Sequence, residues 1–226
     1  MRYHDIHGAV FMDRPNRFVA HVKMDGTVVT CHVKNTGRCR ELLLPGARVL
    51  LEKSPNPLRK TAYDLVAIYK GSRLINMDSV APNAAFGEWL RSGGLVPHPT
   101  LVRAETTHGD SRFDFYIEAG GQKLFAEVKG VTLERDGGAF FPDAPTERGA
   151  KHLRGLMECV KEGYRAICAF VIQMEGIDFF SPNEETDPQF AHTLRQAAQA
   201  GVQILALTCR VREDGMDIGR EIPVIL

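Results

Sequence analysis

Residues 17–33, "RFVAHVKMDGTVVTCHV", alternate apolar and polar side chains on both sides of Asp25-Gly26. An Asp-Gly pair between alternating runs predicts a tight β-hairpin. Three more short runs follow at 47–54, 61–70 and 73–77, separated by Pro45-Gly46, by Pro55 and Pro57, and by Gly71. About five short strands with little helix between them predict a small closed barrel. A five-stranded Greek-key barrel of the oligonucleotide-binding (OB) kind fits this spacing best.

The pattern changes at Ala81. Residues 83–94, "NAAFGEWLRSGG", have helix formers, a candidate Asn cap and a Gly-Gly stop. Strand-like runs follow at 100–107, 112–118 and 123–133. Residues 146–163 place Leu153, Leu156, Met157 and Val160 on one helical face behind a Thr146 cap. A buried strand is expected at 164–174, a helix at 187–201 with Pro188 in its first turn, and another buried strand at 202–211. Helix, three strands, helix, strand, helix, strand predicts a mixed sheet with helices packed on it. The fold class expected is α/β, of the mixed α+β kind. The domains expected are a barrel over 1–80 and a mixed-sheet domain over 81–226, joined near "DSVAPN".

Composition adds a charge asymmetry. The net charge is zero, yet residues 1–80 hold 13 Lys and Arg against 7 Asp and Glu, a balance of +6. Residues 81–226 hold 15 against 21, a balance of −6. A basic part suited to a polyanion thus precedes an acidic part suited to a cation. No apolar run approaches the ~20 residues of a membrane span, and the first residues have no signal-peptide core. The five cysteines are scattered and odd in number, which points to free thiols and a cytoplasmic location. No P-loop or dinucleotide glycine pattern is present.

The candidate chemistry lies in "DFYIEAGGQKLFAEVKG", residues 114–130. A turn at Gly120-Gly121 makes opposed positions sum to 241, so Asp114 faces Glu127. Alternation puts Phe113, Phe115, Ile117, Leu124, Ala126 and Val128 on a core face, and Asp114, Tyr116, Glu127 and Lys129 on the other. Opposed Cβ atoms lie about 4.5–5.5 Å apart, and like charges there destabilise the pair. Lys129 supplies part of the missing positive charge. A hard divalent cation, Mg2+ or Mn2+, held by Asp114 and Glu127 would supply the rest. Ordinary cross-strand ion pairs are the alternative.

Beyond this hairpin, the stretches "KNTGRCRELLLPGARVLLEKS", "TAYDLVAI", "SRFDFYIE", "AEVKGVTL", "FPDAPTERGAKHLRGL" and "FFSPNEETDPQF" together resemble the sugar fermentation stimulation family of bacteria and archaea. The resemblance covers almost the whole chain. It implies an N-terminal OB-like barrel followed by a domain similar to the PD-(D/E)xK nucleases. It also implies binding to DNA without sequence specificity and a proposed link to the regulation of maltose metabolism. Matched to the nuclease motif, Asp114 and Glu127 are the two acids and Lys129 the lysine, with Glu88 as a further catalytic acid on the preceding helix. Glu105 is a reserve acid on the first strand of the sheet.

Nucleic-acid contacts are expected from Arg148, Lys151 and His152, which open a helix just after the candidate site, because a helix N-terminus favours anions. In the barrel, Lys34, Arg38, Arg40, Arg48, Arg59 and Lys60 lie on or near loops. Aromatic residues are few there, so phosphate contacts and salt-sensitive binding are expected. The partner expected is DNA, with single strands and RNA left open. Two functions remain: a metal-dependent nuclease, and a DNA-binding regulator with an inactive nuclease-like domain.

Overall fold

A computed structural model of the chain describes residues 1–35 and 37–226. Strands β1 (Ile6–Asn16), β2 (Val19–Met24), β3 (Thr27–Val33), β4 (Arg48–Lys53) and β5 (Tyr63–Lys70) close into a barrel, and β6 (Arg73–Asn76) extends it beside β5. β1 pairs antiparallel with β2 and β4, β4 antiparallel with β5, and β3 parallel with β5 at His32–Asp64 and Val33–Leu65. The hairpin at Asp25-Gly26 forms as its sequence dictates. Both residues take positive φ, 49° and 82°, as a two-residue turn between twisted strands requires. Phe11, Val22, Cys31, Leu51, Leu65 and Ile68 fill the barrel.

The five-stranded OB-like barrel is therefore present, with one change of membership. The expected set included 73–77 and lacked β1. In β1 only Ala9 and Phe11 are buried, and Gly8 and Pro15 interrupt the run. Its alternation is too weak to register without its neighbours.

The chain continues through α1 (Ala81–Arg91), β7 (Leu101–His108), β8 (Ser111–Ala119), β9 (Gln122–Val131), β10 (Leu133–Arg135), β11 (Gly138–Phe141), α2 (Glu147–Lys161), β12 (Arg165–Ile172), β13 (Phe179–Pro182), α3 (Pro188–Gln199), β14 (Gln203–Arg212) and β15 (Gly215–Glu221). The larger sheet runs β15-β14-β12-β9-β8-β7. Its centre, β9-β12-β14, is parallel and its flanks are antiparallel, as the order of elements predicts. A small sheet, β10-β11-β13, stands beside it. The short strands β10, β11 and β13 and the glycine-flanked β15 were not expected. They are held by register with neighbours more than by their own pattern.

Helix α1 covers one face of the larger sheet, with Phe86 and Leu90 among Phe115, Ile117, Val128 and Ile167. Helices α2 and α3 cover the other through Leu153, Leu156, Phe190 and Leu194, over Phe125 and Phe170. That second core is continuous with the barrel interior. Thr146 caps α2 by accepting from the Gly149 N–H, and Asp187 caps α3 through the Phe190 N–H. Asn83 is not a cap: α1 begins at Ala81, and its cap position, Val80, has no side-chain bond.

Buried polar groups tie the barrel to the sheet. The Gln173 amide donates to Asn76 O, Asn76 Oδ1 and Asp78 O, each at 3.0 Å. Glu134 accepts from Lys70 at 2.7 Å and pairs with Arg73 at 3.1 Å. Among the described residues, no helix is long and apolar enough to cross a membrane. All five cysteines are buried and unbridged.

Candidate functional site

The β8–β9 hairpin turns through Gly120 and Gly121, with φ of 55° and 76°. Its register is the expected one, from Ala119 opposite Gln122 to Phe115 opposite Ala126. The ladder stops there, one residue short of the acids. On the other side, β7 pairs Ala104 with Phe115 and Thr106 with Phe113, skipping Glu105, whose φ is 50°. Asp114 thus sits where both ladders break. Its carboxylate takes over as acceptor: Oδ2 receives the Val128 N–H and Oδ1 the Asn83 Nδ2–H, both at 2.7 Å.

This break corrects the expected faces. Phe113 packs on Phe125 at 5.3 Å between ring centres, on the side of Leu153 and α2. Phe115 packs on Phe86 of α1 at 5.8 Å, on the opposite side. Simple alternation had placed both on one face. The face carrying Glu127 is also not open to solvent, because α2 lies across it.

Glu127 is only 3% exposed. It lies on the stretch of β9 from Leu124 to Val131 that pairs in parallel with β12, opposite Cys168, with Lys129 opposite Phe170. Lys129 Nζ approaches Glu127 Oε1 to 2.6 Å, and His152 Nδ1 from α2 bonds the same oxygen. Among the described residues, Glu127 Oε2 is buried with no hydrogen-bond partner. Burial by itself would raise the Glu127 pKa. The His152 hydrogen bond and the Lys129 charge outweigh it and hold the carboxyl below its ordinary range. Asp114 goes the other way. Burial first, then the neighbouring Glu127 charge, push its pKa up against the pull of the Val128 N–H and Asn83.

Two partly or fully buried carboxylates, one with an orphaned oxygen, fit a hard oxygen-seeking cation. The donor set is all carboxylate, which suits Mg2+, Mn2+ or Ca2+ rather than a thiophilic metal. Among the described residues, no three His, Cys, Asp or Glu side chains converge into a complete metal cage. A cation held here would therefore keep positions for water or a substrate oxygen.

Asp114, Glu127 and Lys129 are brought together as the sequence predicts. Glu88 is not. It is 60% exposed and bonds the Met1 ammonium at 2.6 Å. Five residues separate it from Asn83, about 140° around the helix, so both cannot face the same strand. Asn83 is the α1 residue at the site. Glu105 is exposed and, among the described residues, pairs only with Arg112, at 3.5 Å. His152, expected on phosphate, is instead buried against Glu127. Its signal was available: it lies beside Leu153 and one turn before Leu156, on the apolar face of α2.

Of the other expected nucleic-acid contacts, Arg38, Arg40, Arg48, Lys60, Arg148 and Lys151 are exposed. Arg48 stacks over Tyr69 at 4.4 Å. Two are paired with buried carboxylates. Arg59 grips Asp64 with both guanidinium nitrogens, at 2.8 and 2.7 Å, and Lys34 meets the buried Asp78 at 2.5 Å. These two cations neutralise buried carboxylates and have less to offer a phosphate.

Residues 12–77 match the profile described as the SfsA N-terminal OB domain, and residues 80–215 that of the sugar fermentation stimulation protein RE domain. The chain is 51% identical over 226 residues to a sugar fermentation stimulation protein homolog of Ruminiclostridium cellulolyticum, covering 100% of both. It is 53% identical to a homolog of Desulfitobacterium hafniense, covering 100% of this chain and 99% of that one. Its fold is similar to that of Pyrococcus furiosus SfsA in complex with Ca2+, with a TM-score of 0.92 and 27% identity over 100% of this chain and 98% of that chain.

Proposed function

The chain belongs to the sugar fermentation stimulation family, and from that premise we propose that it binds DNA without sequence specificity and cleaves it at a divalent-cation site. The observation that carries this reading is Glu127: a buried carboxylate with one oxygen held by Lys129 and His152 and the other without a partner, close to Asp114. A protein gains nothing in stability from leaving a buried carboxylate oxygen unpaired. A cation there would resolve both the orphaned oxygen and the crowding of two acids. That the Pyrococcus relative was solved with Ca2+ supports a hard cation as the occupant.

In this reading Asp114 and Glu127 hold Mg2+ or Mn2+. The bound cation would polarise a phosphodiester oxygen and lower the pKa of its water. Each protein group then has a task of its own. Asn83 and the Val128 N–H hold Asp114 in place from α1 and β9. Lys129, through a side chain only 13% exposed, brings positive charge to where negative charge develops on the phosphorus. Arg148 and Lys151 on the exposed face of α2, and Arg38, Arg40 and Lys60 on the barrel, contact backbone phosphates.

The test is incubation of labelled DNA and RNA, single- and double-stranded, with Mg2+ or Mn2+, comparing wild type with Glu127→Ala and Lys129→Ala. Cleavage that requires the cation and falls about 10²–10³-fold in either variant is expected. DNA binding with no cleavage of any substrate would reject the nuclease and leave a non-catalytic DNA-binding regulator, the form that fits a role in sugar metabolism.

A further inference from the structure

Glu127 Oε1 receives two hydrogen bonds, and their source defines what its partner oxygen is for. One comes from Lys129 Nζ at 2.6 Å on the same strand. The other comes from His152, one turn into α2, whose side chain is 10% exposed. The second ring nitrogen of His152, Nε2, faces Arg148 Nε at 3.4 Å, four residues earlier on the helix. A guanidinium N–H can only donate, so Nε2 is the acceptor. A carboxylate oxygen can only accept, so Nδ1 carries a proton, and Nδ1–H donates to Glu127. Arg148 donates to His152 and His152 donates to Glu127, a directed chain of hydrogen bonds ending on the carboxylate.

Two donors on Oε1 use its in-plane lone pairs. The carboxylate cannot rotate without breaking both bonds, and its free lone pairs all belong to Oε2, which is buried and unpaired. Asp114 is fixed in a parallel way by one helix donor, Asn83, and one backbone donor, Val128 N–H. Each acid is thus clamped from a different helix, Asp114 from α1 and Glu127 from α2. Outer hydrogen bonds of this kind orient a metal-binding carboxylate and raise its affinity, and removing one costs about 10–100-fold in metal binding.

We infer that His152 is a positioning residue, which locks Glu127 with Oε2 presented to the divalent cation, and that Arg148 sets the tautomer in which it does so. This rests on the cation site proposed above, and it goes further by assigning His152 a task distinct from phosphate contact. Lys129 alone would leave Glu127 a rotor on one bond. The His152 donor, arriving from a separate element, makes the orientation depend on how α2 docks on the sheet.

Two variants separate donor from packing. At position 152 an asparagine amide occupies nearly the place of Nδ1 and can still donate, whereas leucine fills the space without a donor. Mn2+ affinity of the metal-stripped full chain, measured by titration calorimetry, is the readout, with thermal melts confirming that each variant folds. Expected are affinities within about threefold of wild type for His152→Asn and about 10–100-fold weaker for His152→Leu. Equal affinity of His152→Leu and wild type would overturn the inference while leaving the cation site standing. No Mn2+ binding by wild type would overturn the cation site and the inference together. Nitrogen NMR of the His152 ring in the metal-free protein tests the tautomer independently. A proton on Nδ1 is expected, and a neutral ring with its proton on Nε2 would reject the directed chain whatever the calorimetry shows.

Discussion

Asp114 and Glu127 sit close together, yet their pKa values move in opposite directions, and that divergence can be measured. Asp114 is raised, by burial and then by Glu127, so its ionisation works against the folded state. Its favourable contribution is complete below the unfolded pKa and is lost as pH rises through the folded value. Glu127 is lowered, since His152 and Lys129 overcome its burial, so its contribution is present above the ordinary range and lost as pH falls. Replacing Asp114 by asparagine removes only the first effect. Asn83 can turn its amide to match the new group, and the Val128 N–H keeps an oxygen acceptor. In chelator, Asp114→Asn is expected to melt a few degrees above wild type near neutral pH, the size that ~1 kcal/mol produces in a chain of this length. The gap should shrink as pH falls, while cleavage is lost. A melting difference that does not change with pH would show that Asp114 is not a strained anion. The two acids and the lysine were legible in the sequence because the hairpin register carries Asp114 to the neighbourhood of Glu127, and the i, i+2 spacing on β9 sets Lys129 beside it. Asn83 was not, and for His152 the apolar face of α2 announced burial but not its partner, because no local spacing links a helix residue to a strand it meets only after folding.

At the level of elements, the site depends on β8 and α2 meeting closely. Gly155 of α2 lies against β8: a Cβ there would stand 2.5 Å from Ser111 Oγ and 3.1 Å from Phe113 Cζ. Gly155→Ala would push α2 off the sheet, at a cost of about 1–3 kcal/mol, and with it the His152 donor. A melting temperature lower by several degrees and weaker Mn2+ binding are expected together. An unchanged melt would mean that α2 can shift freely, which would weaken the case for a rigid clamp. The long, strongly patterned elements followed from sequence: the hairpin at Asp25-Gly26, α2 behind Thr146, α3 with Pro188 in its first turn, and the buried strands β12 and β14. The misses share a cause. β1, β10, β11 and β13 have little periodicity of their own and exist because neighbours offer free edges. The crossing of Phe113 to the other face of its strand comes from the ladder break at Glu105 and Asp114, which alternation cannot anticipate.

For the whole molecule, the basic barrel and the acidic sheet domain would set how the proposed polyanion is met. Binding of DNA through exposed arginines and lysines, as proposed, would release counterions. For about five phosphate contacts, affinity for a DNA duplex of arbitrary sequence should fall about 10²–10³-fold between 50 and 200 mM salt. Fluorescence anisotropy with unrelated duplexes checks this, and binding insensitive to salt would refute a phosphate-dominated interface. Arg38→Glu should weaken binding more than Arg59→Glu does at equal folded fraction, because Arg59 already serves Asp64. The sequence by itself determined the elements whose signal is local: the glycine turns, the Thr146 cap, the apolar face of α2 and the Glu127, Lys129 spacing all act within a few residues of one another. It was enough to place the chain in its family and to foresee a barrel followed by a mixed sheet. Only the tertiary structure decided which cations are already spent, as with Lys34 on Asp78 and Arg59 on Asp64. It also decided that Glu88 faces away from the site and that His152 closes on Glu127. The physical reason is that a charge takes its role from whatever partner folding brings within about 3 Å, and hydrogen bonds of that reach are invisible until strands and helices from distant parts of the chain are packed.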